Sequence, residues 1–203
     1  MPQPFPLQVL QGLTYLHKEK HSVHRDLKPA NILLNSAGFV KLSDFGISKQ
    51  LGSGTYANAQ THCGTLAYMS PERVKAESYS YASDIWSLGL IALEGACGTY
   101  PYPPSTANNY YDLVKTIIEG PPPTERPEVR DRLSADLLDL VHASLAKEPM
   151  MRPDVMMLMR HPFVARHQAA PTDLRPYLAD LHASTLGLAP VAGSPASGPS
   201  SAS

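Results

Sequence analysis

Between Ser83 and about Cys97 the apolar residues Ile85, Trp86, Leu88, Leu90, Ile91 and Leu93 recur so densely that they wrap most of a helical circumference. A helix that is apolar all round must sit inside a core, so the rest of the chain has to supply elements that surround it. Ser83 reads as its cap. Leu7 to Lys20 supplies one such element, an amphipathic helix with Leu7, Val9, Leu10, Leu13 and Leu16 on one face. Met1 to Pro6, with three prolines in six residues, resists helix and reads as an irregular start. Further helices are expected at Tyr110 to Glu119, at Ser134 to Ala146 and just after Pro153, with Pro121 to Pro127 as an irregular connection.

Strand signals are confined to one place. Ile32 to Leu34 and Phe39 to Leu42 are short apolar runs joined by Asn35-Ser36-Ala37-Gly38, a tight turn. Ser43 to Glu72 has no sustained period and reads as a long loop, the kind that usually carries function in a compact domain. From Gly187 to Ser203 the residues are almost entirely Ala, Gly, Ser, Pro, Leu and Val, and that tail is expected to be disordered. The fold class expected is therefore mainly α with a single β-hairpin.

With 203 residues and a formal net charge of −1, the chain has no basic field of the kind that captures nucleic acid or an anionic membrane surface. Its two cysteines, Cys63 and Cys97, are too few to staple a fold and lack metal-ligand spacing, which suits a reduced, cytosolic or nuclear protein.

The chemistry lies in His24-Arg25-Asp26-Leu27-Lys28-Pro29-Ala30-Asn31, followed thirteen residues after Asn31 by Asp44-Phe45-Gly46. Either triplet alone could be chance. Together with Ser70-Pro71-Glu72 closing the loop they fit the H-R-D-L-x-x-x-N, D-F-G and A-P-E pattern, and the chain resembles the C-terminal lobe of a protein kinase. That resemblance implies ATP and Mg2+ as cofactors. It makes Asp26 the residue that accepts or orients the proton of a substrate hydroxyl, with Arg25 beside it, and Asn31 and Asp44 the oxygen ligands of magnesium. Lys28 would place an ammonium near the transferred phosphate, as in serine/threonine and dual-specificity kinases. By the same resemblance Glu72 pairs with Arg152, and Asp84 accepts backbone N–H groups near His24 and Arg25. An aspartate opening a helix also suits the helix dipole with no further role.

The stretch Gly64-Thr65-Leu66-Ala67-Tyr68-Met69-Ser70-Pro71-Glu72-Arg73, with Gly12 to His17 and Lys41 to Ser48, is similar to the MAP kinase kinase group. Thr65 counts among the structural residues of that pattern. The group's activity implies a MAP kinase as protein substrate and an upstream kinase as activator. Thr55 and Thr61, separated by five residues as in plant-type members, become the expected activation-loop phosphosites. The shorter spacing of animal members would place Ala57 opposite Thr61. Arg25 could pair with such a phosphate and order the loop.

The kinase-like lobe is expected to span residues 7–166. Residues 167–186 include Leu174, Tyr177, Leu178 and Leu181 at helical spacing, either a docking helix for an upstream kinase or a helix packed on its own lobe. A Gly-rich loop, a strand lysine and a helix glutamate have no counterpart here, so an N-terminally truncated kinase, marginally stable by itself, is expected. The competing expectation is a catalytically silent lobe that serves as a docking module.

Overall fold

A computed structural model describes residues 5–45, 66–103, 106, 109–169 and 174–185. Residues 1–4 of the expected irregular start, most of the long loop with Thr55, Thr61 and Thr65, and the tail from Gly187 fall outside the described residues. So does Cys63, while Cys97 carries no disulfide.

The elements are, in order, α1 (Phe5–Thr14), a π turn (Tyr15–Glu19), β1 (Ile32–Leu34), β2 (Val40–Leu42), α2 (Pro71–Val74), α3 (Tyr81–Cys97), α4 (Tyr110–Glu119), α5 (Pro127–Arg130), α6 (Ala135–Ser144), α7 (Val155–Met159), α8 (Pro162–Ala169) and α9 (Arg175–Thr185). The fold class read from the sequence holds: mainly α, with one antiparallel hairpin that pairs Ile32 with Leu42 and Leu34 with Val40.

The central helix is α3, and Trp86, Leu90 and Leu93 on it are completely buried. It starts three residues further back than a cap at Ser83 would put it, at Tyr81, and its cap is Ser80 rather than Ser83. Ser83 instead stands at the third helical position. Its Oγ accepts from the Ser80 N–H at 3.4 Å and donates to Glu72 Oε1 at 2.9 Å. The reciprocal logic of a capping box, with serines three apart, lets either residue look like the cap from sequence alone. At the other end Gly98 closes the helix with φ 72°, the left-handed conformation glycine adopts without steric cost, and its N–H reaches Glu94 O at 2.8 Å.

Around α3 the other elements bury their apolar faces. α6 lies along it so closely that a Cβ on Gly89 would meet Ser144 Cβ at 2.9 Å and Leu145 Cδ2 at 3.1 Å. Both neighbours belong to the buried core. Gly89→Ala is therefore expected to lower stability by about 1–3 kcal/mol through overpacking, read as a shift of the urea midpoint. No shift would mean that α6 can move away.

α1 packs on β2, α7 and α8. It starts at Phe5, earlier than its prolines suggest, because Pro6 lies in the first turn where a missing N–H leaves no hydrogen bond unmade. α7 starts after Pro153 as Asp154 Oδ1 caps the N–H groups of Met156 and Met157, both at 2.9 Å. The Pro121 to Pro127 connection contains a short 3₁₀ turn, Pro123–Glu125, before α5. In the hairpin Asn35 Oδ1 accepts from Ala37 N and Phe39 N while Gly38 takes φ 83°, which fixes the turn that the sequence marks.

Lys147 pins α4 to this core. Its ammonium donates to Ile117 O at 2.7 Å and faces the Trp86 ring 5.4 Å from the centroid. Burial, with help from the Arg152 charge, lowers its pKa from 10.5 to about 8; Glu125 opposes the shift. The unfolded chain keeps that proton to higher pH, so stability should rise with pH between about 8 and 10.5. Compared with Lys147→Met, the wild-type urea midpoint should climb across that window; parallel pH profiles would contradict this.

Candidate active site

The site hangs from Asp84, near the start of α3. Its carboxylate, 1% exposed with its residue, accepts the N–H of His24 at 2.8 Å and of Arg25 at 3.0 Å, and lies 2.8 Å from His17 Nε2. Three hydrogen bonds to one buried carboxylate go beyond what a helix-dipole acid needs, and they fix the segment that follows. They hold Arg25 at φ 72°, a left-handed conformation that costs a residue with a Cβ about 1–2 kcal/mol. Arg73 adds to the hold by donating from Nη1 to Arg25 O.

From that anchor the chain turns Asp26, Lys28 and Asn31 toward one another. Lys28 Nζ stands 2.9 Å from Asp26 Oδ2. Asn31 donates from Nδ2 to Asp26 O at 2.7 Å and to Asp26 Oδ2 at 3.1 Å. Asn31 is buried, and among the described residues its Oδ1 receives no hydrogen bond, so an acceptor oxygen is left over. Asp44 joins through the backbone, since Ser43 N donates to Asn31 O at 2.9 Å. Asp44 itself is exposed, with φ 55°. Phe45 turns its edge to His24, centroids 5.6 Å apart. Burial pushes the His24 imidazole below its ordinary pKa, which favours the neutral ring in this apolar seat.

The two oxygen donors suit magnesium by type. That ion takes hard oxygen ligands and commonly needs only one or two from protein, the rest coming from phosphates and water. Among the described residues no cluster of three His, Cys, Asp or Glu side chains is arranged to hold a metal alone.

Below the site Glu72 and Arg152 meet as the resemblance implies. Arg152 Nη1 and Nη2 reach Glu72 Oε1 and Oε2, each at 2.8 Å. The remaining donors go to Ala146 O, Ala82 O and Lys147 O at 2.8–2.9 Å. Burial would raise the Glu72 pKa, but the hydrogen bonds and charge of Arg152 override it and hold the carboxyl at about 2.

Three contributors escape the sequence reading. His17 falls four residues after Leu13 but lies beyond α1, in the π turn that carries its ring to Asp84. Arg73 and Tyr79 gave no signal beyond their residue types: both Arg25 and Arg73 lie over the Tyr79 ring, 5.2 and 4.9 Å from its centroid. The stripe on α9 keeps Tyr177 at 65% and Leu181 at 53% exposure. No helix among the described residues is long and apolar enough to cross a membrane.

A buried carboxylate holding the backbone of an Asp-x-Lys-x-x-Asn turn beside an Asp-Phe hairpin exit is the arrangement of the phosphotransfer loop of protein kinases. The protein kinase domain family matches residues 3–164, and the chain belongs to that family. Its relatives include MAP kinase kinases. It is 46% identical over 174 residues to mitogen-activated protein kinase kinase SIPKK of Nicotiana tabacum, covering 84% of this chain and 48% of that protein. It is 42% identical to mitogen-activated protein kinase kinase 2 of Arabidopsis thaliana, covering 85% and 48%. Against MAP kinase kinase PBS2 of Saccharomyces cerevisiae the identity is 39%, covering 85% and 26%. The chain thus spans about half the length of these two plant relatives.

Proposed function

We propose that this chain carries the phosphotransfer half of a MAP kinase kinase, which moves the γ-phosphoryl group of ATP to the threonine and tyrosine hydroxyls of a MAP kinase activation loop. The observation that carries the reading is the contact of Asp26 Oδ2 with both Lys28, at 2.9 Å, and Asn31, at 3.1 Å. In this reading Asp26 orients the attacking hydroxyl and receives its proton, and Asn31 fixes the carboxylate that does so. Lys28 sets positive charge where the transferred group gathers negative charge. Asn31 Oδ1 and the Asp44 carboxylate would hold magnesium, which when bound supplies charge against the phosphate oxygens.

Thr55 and Thr61 are the phosphosites through which an upstream kinase switches the protein on, with Arg25 pairing the phosphate. The exposed Tyr177 and Leu181 on α9 favour a surface for that upstream kinase over a helix sealed on its own lobe. The cytoplasm, and also the nucleus, is the compartment this role requires.

The test is incubation of the protein, fused behind the N-terminal half of a plant MAP kinase kinase and first phosphorylated by an upstream kinase, with a MAP kinase and γ-labelled ATP. Label on both threonine and tyrosine of the activation loop is expected. A folded, ATP-binding fusion that leaves the MAP kinase unlabelled would defeat the proposal and leave a docking role.

A further inference from the structure

Arg25 and Arg73 form a pair of cations with one aromatic ring in common. Arg25 is exposed, while Arg73 is half-buried and its Nε is completely buried with no hydrogen-bond partner among the described residues. Both guanidinium groups lie over the ring of Tyr79. Arg73 also holds the carbonyl of Arg25, so the two side chains are tied by backbone as well as by ring. No Asp or Glu among the described residues forms an ion pair with either of them. Both cations face one ring without a carboxylate partner, and an unpaired buried N–H costs free energy. Such an arrangement stores a demand for a multiply charged anion, and the planar fork of arginine matches phosphate geometry.

We propose that Arg73 and Tyr79 complete, with Arg25, a two-guanidinium receptor for a phosphomonoester dianion carried on a protein hydroxyl. Arg73 is the second cation, and Tyr79 is the platform that positions both forks through cation–π contact. The inference rests on the reading of Arg25 as the phosphate-pairing residue and adds two residues to it. Because the receptor is tied to the backbone of Arg25, next to Asp26, a bound phosphoryl group would steady the turn that presents the carboxylate.

The test uses the 203-residue chain labelled at its arginine Nε atoms and titrated with phenyl phosphate above pH ~6, where the phosphomonoester is a dianion. Saturable shifts of both the Arg25 and Arg73 signals are expected. Arg73→Gln and Tyr79→Ala should each weaken binding by roughly tenfold or more, whereas Tyr79→Phe, which keeps the ring face, should bind like wild type. Arg73→Lys, which keeps the charge without the fork, should fall between, so a folding defect of the glutamine variant cannot mimic the result. Binding by Arg73→Gln equal to wild type, Tyr79→Phe as weak as Tyr79→Ala, or no saturable shift in wild type would each overturn the proposal.

The source of the group is read separately. Signals already shifted in chain phosphorylated by an upstream kinase place the phosphoryl in cis, and shifts that need an added phosphopeptide of a MAP kinase place it on the partner. A parallel titration with Mg2+ and ATP separates the claims. Nucleotide binding without phenyl phosphate binding sinks the receptor alone, and the reverse sinks the nucleotide site alone.

Discussion

Asp26→Asn, made in the fusion with the N-terminal half of a plant MAP kinase kinase and assayed on a MAP kinase, is expected to lower kcat by about 10²–10⁴-fold with little change in KM. The substitution keeps the size of the side chain and keeps an oxygen for Asn31 Nδ2, whose hydrogen bonds at 2.7 and 3.1 Å hold the turn together. What it removes is the negative charge that, in the proposed function, orients the hydroxyl and takes its proton, a contribution realised in the transition state and not in the ground state. The ammonium of Lys28, 2.9 Å away, also loses this counterion. Melting temperature should move little, because the carboxylate is about one-third exposed and the anchor of the segment is Asp84, not Asp26. An activity within a few-fold of wild type would remove Asp26 from the chemistry.

Arg152→Met is expected to produce the largest loss of stability, about 3–5 kcal/mol, because it leaves the Glu72 carboxylate buried without its partner. All five guanidinium N–H groups are committed, to Glu72, Ala82, Ala146 and Lys147, so one side chain ties together α2, the start of α3 and the segment after α6. Glu72→Gln should cost less, and the double substitution less than the sum, since the second change no longer strands a charge. The pH dependence has a definite sign. Glu72 ionises at about 2 in the folded protein and near 4.5 ordinarily, so its contribution is complete above about 4.5 and is lost as the pH falls toward 2. Urea midpoints of the variants against pH check both statements. An Arg152→Met chain within 1 kcal/mol of wild type, by the marginal worth of an exposed ion pair, would show the pair to be ornamental.

The core was largely legible because burial leaves a periodic mark. The all-round apolar run of α3, the one-sided stripe of α1 and the span of α4 appear where the sequence puts them. Boundaries were less legible wherever two residues of one type compete: Ser80 and Ser83 both satisfy a cap pattern, and only packing against Glu72 decides that Ser83 lies inside the helix. The site was legible as letters, since Asp26, Lys28, Asn31 and Asp44 stand in a fixed motif, and the structure brings the first three into direct contact.

What the letters withheld is the support. The hold of Asp84 on three partners depends on a π turn that swings His17 inward, and nothing in Tyr15 to Glu19 announces a widened turn. The left-handed backbone of Arg25 is equally silent, since arginine has no preference for it; the flanking hydrogen bonds impose it. Tyr79 lies in a loop without periodicity, and its ring becomes meaningful only when Arg25 and Arg73 are seen to converge on it.

The most direct test of the account replaces magnesium by Mn2+ in the presence of ATP and follows the amide resonances of the chain. Asp26, Asn31 and Asp44 are predicted to broaden together at low stoichiometry while core residues such as Leu140 stay sharp, and Asp44→Asn should abolish the effect. Broadening that spares those three residues, or that survives Asp44→Asn unchanged, would contradict the claim that they face one phosphotransfer centre.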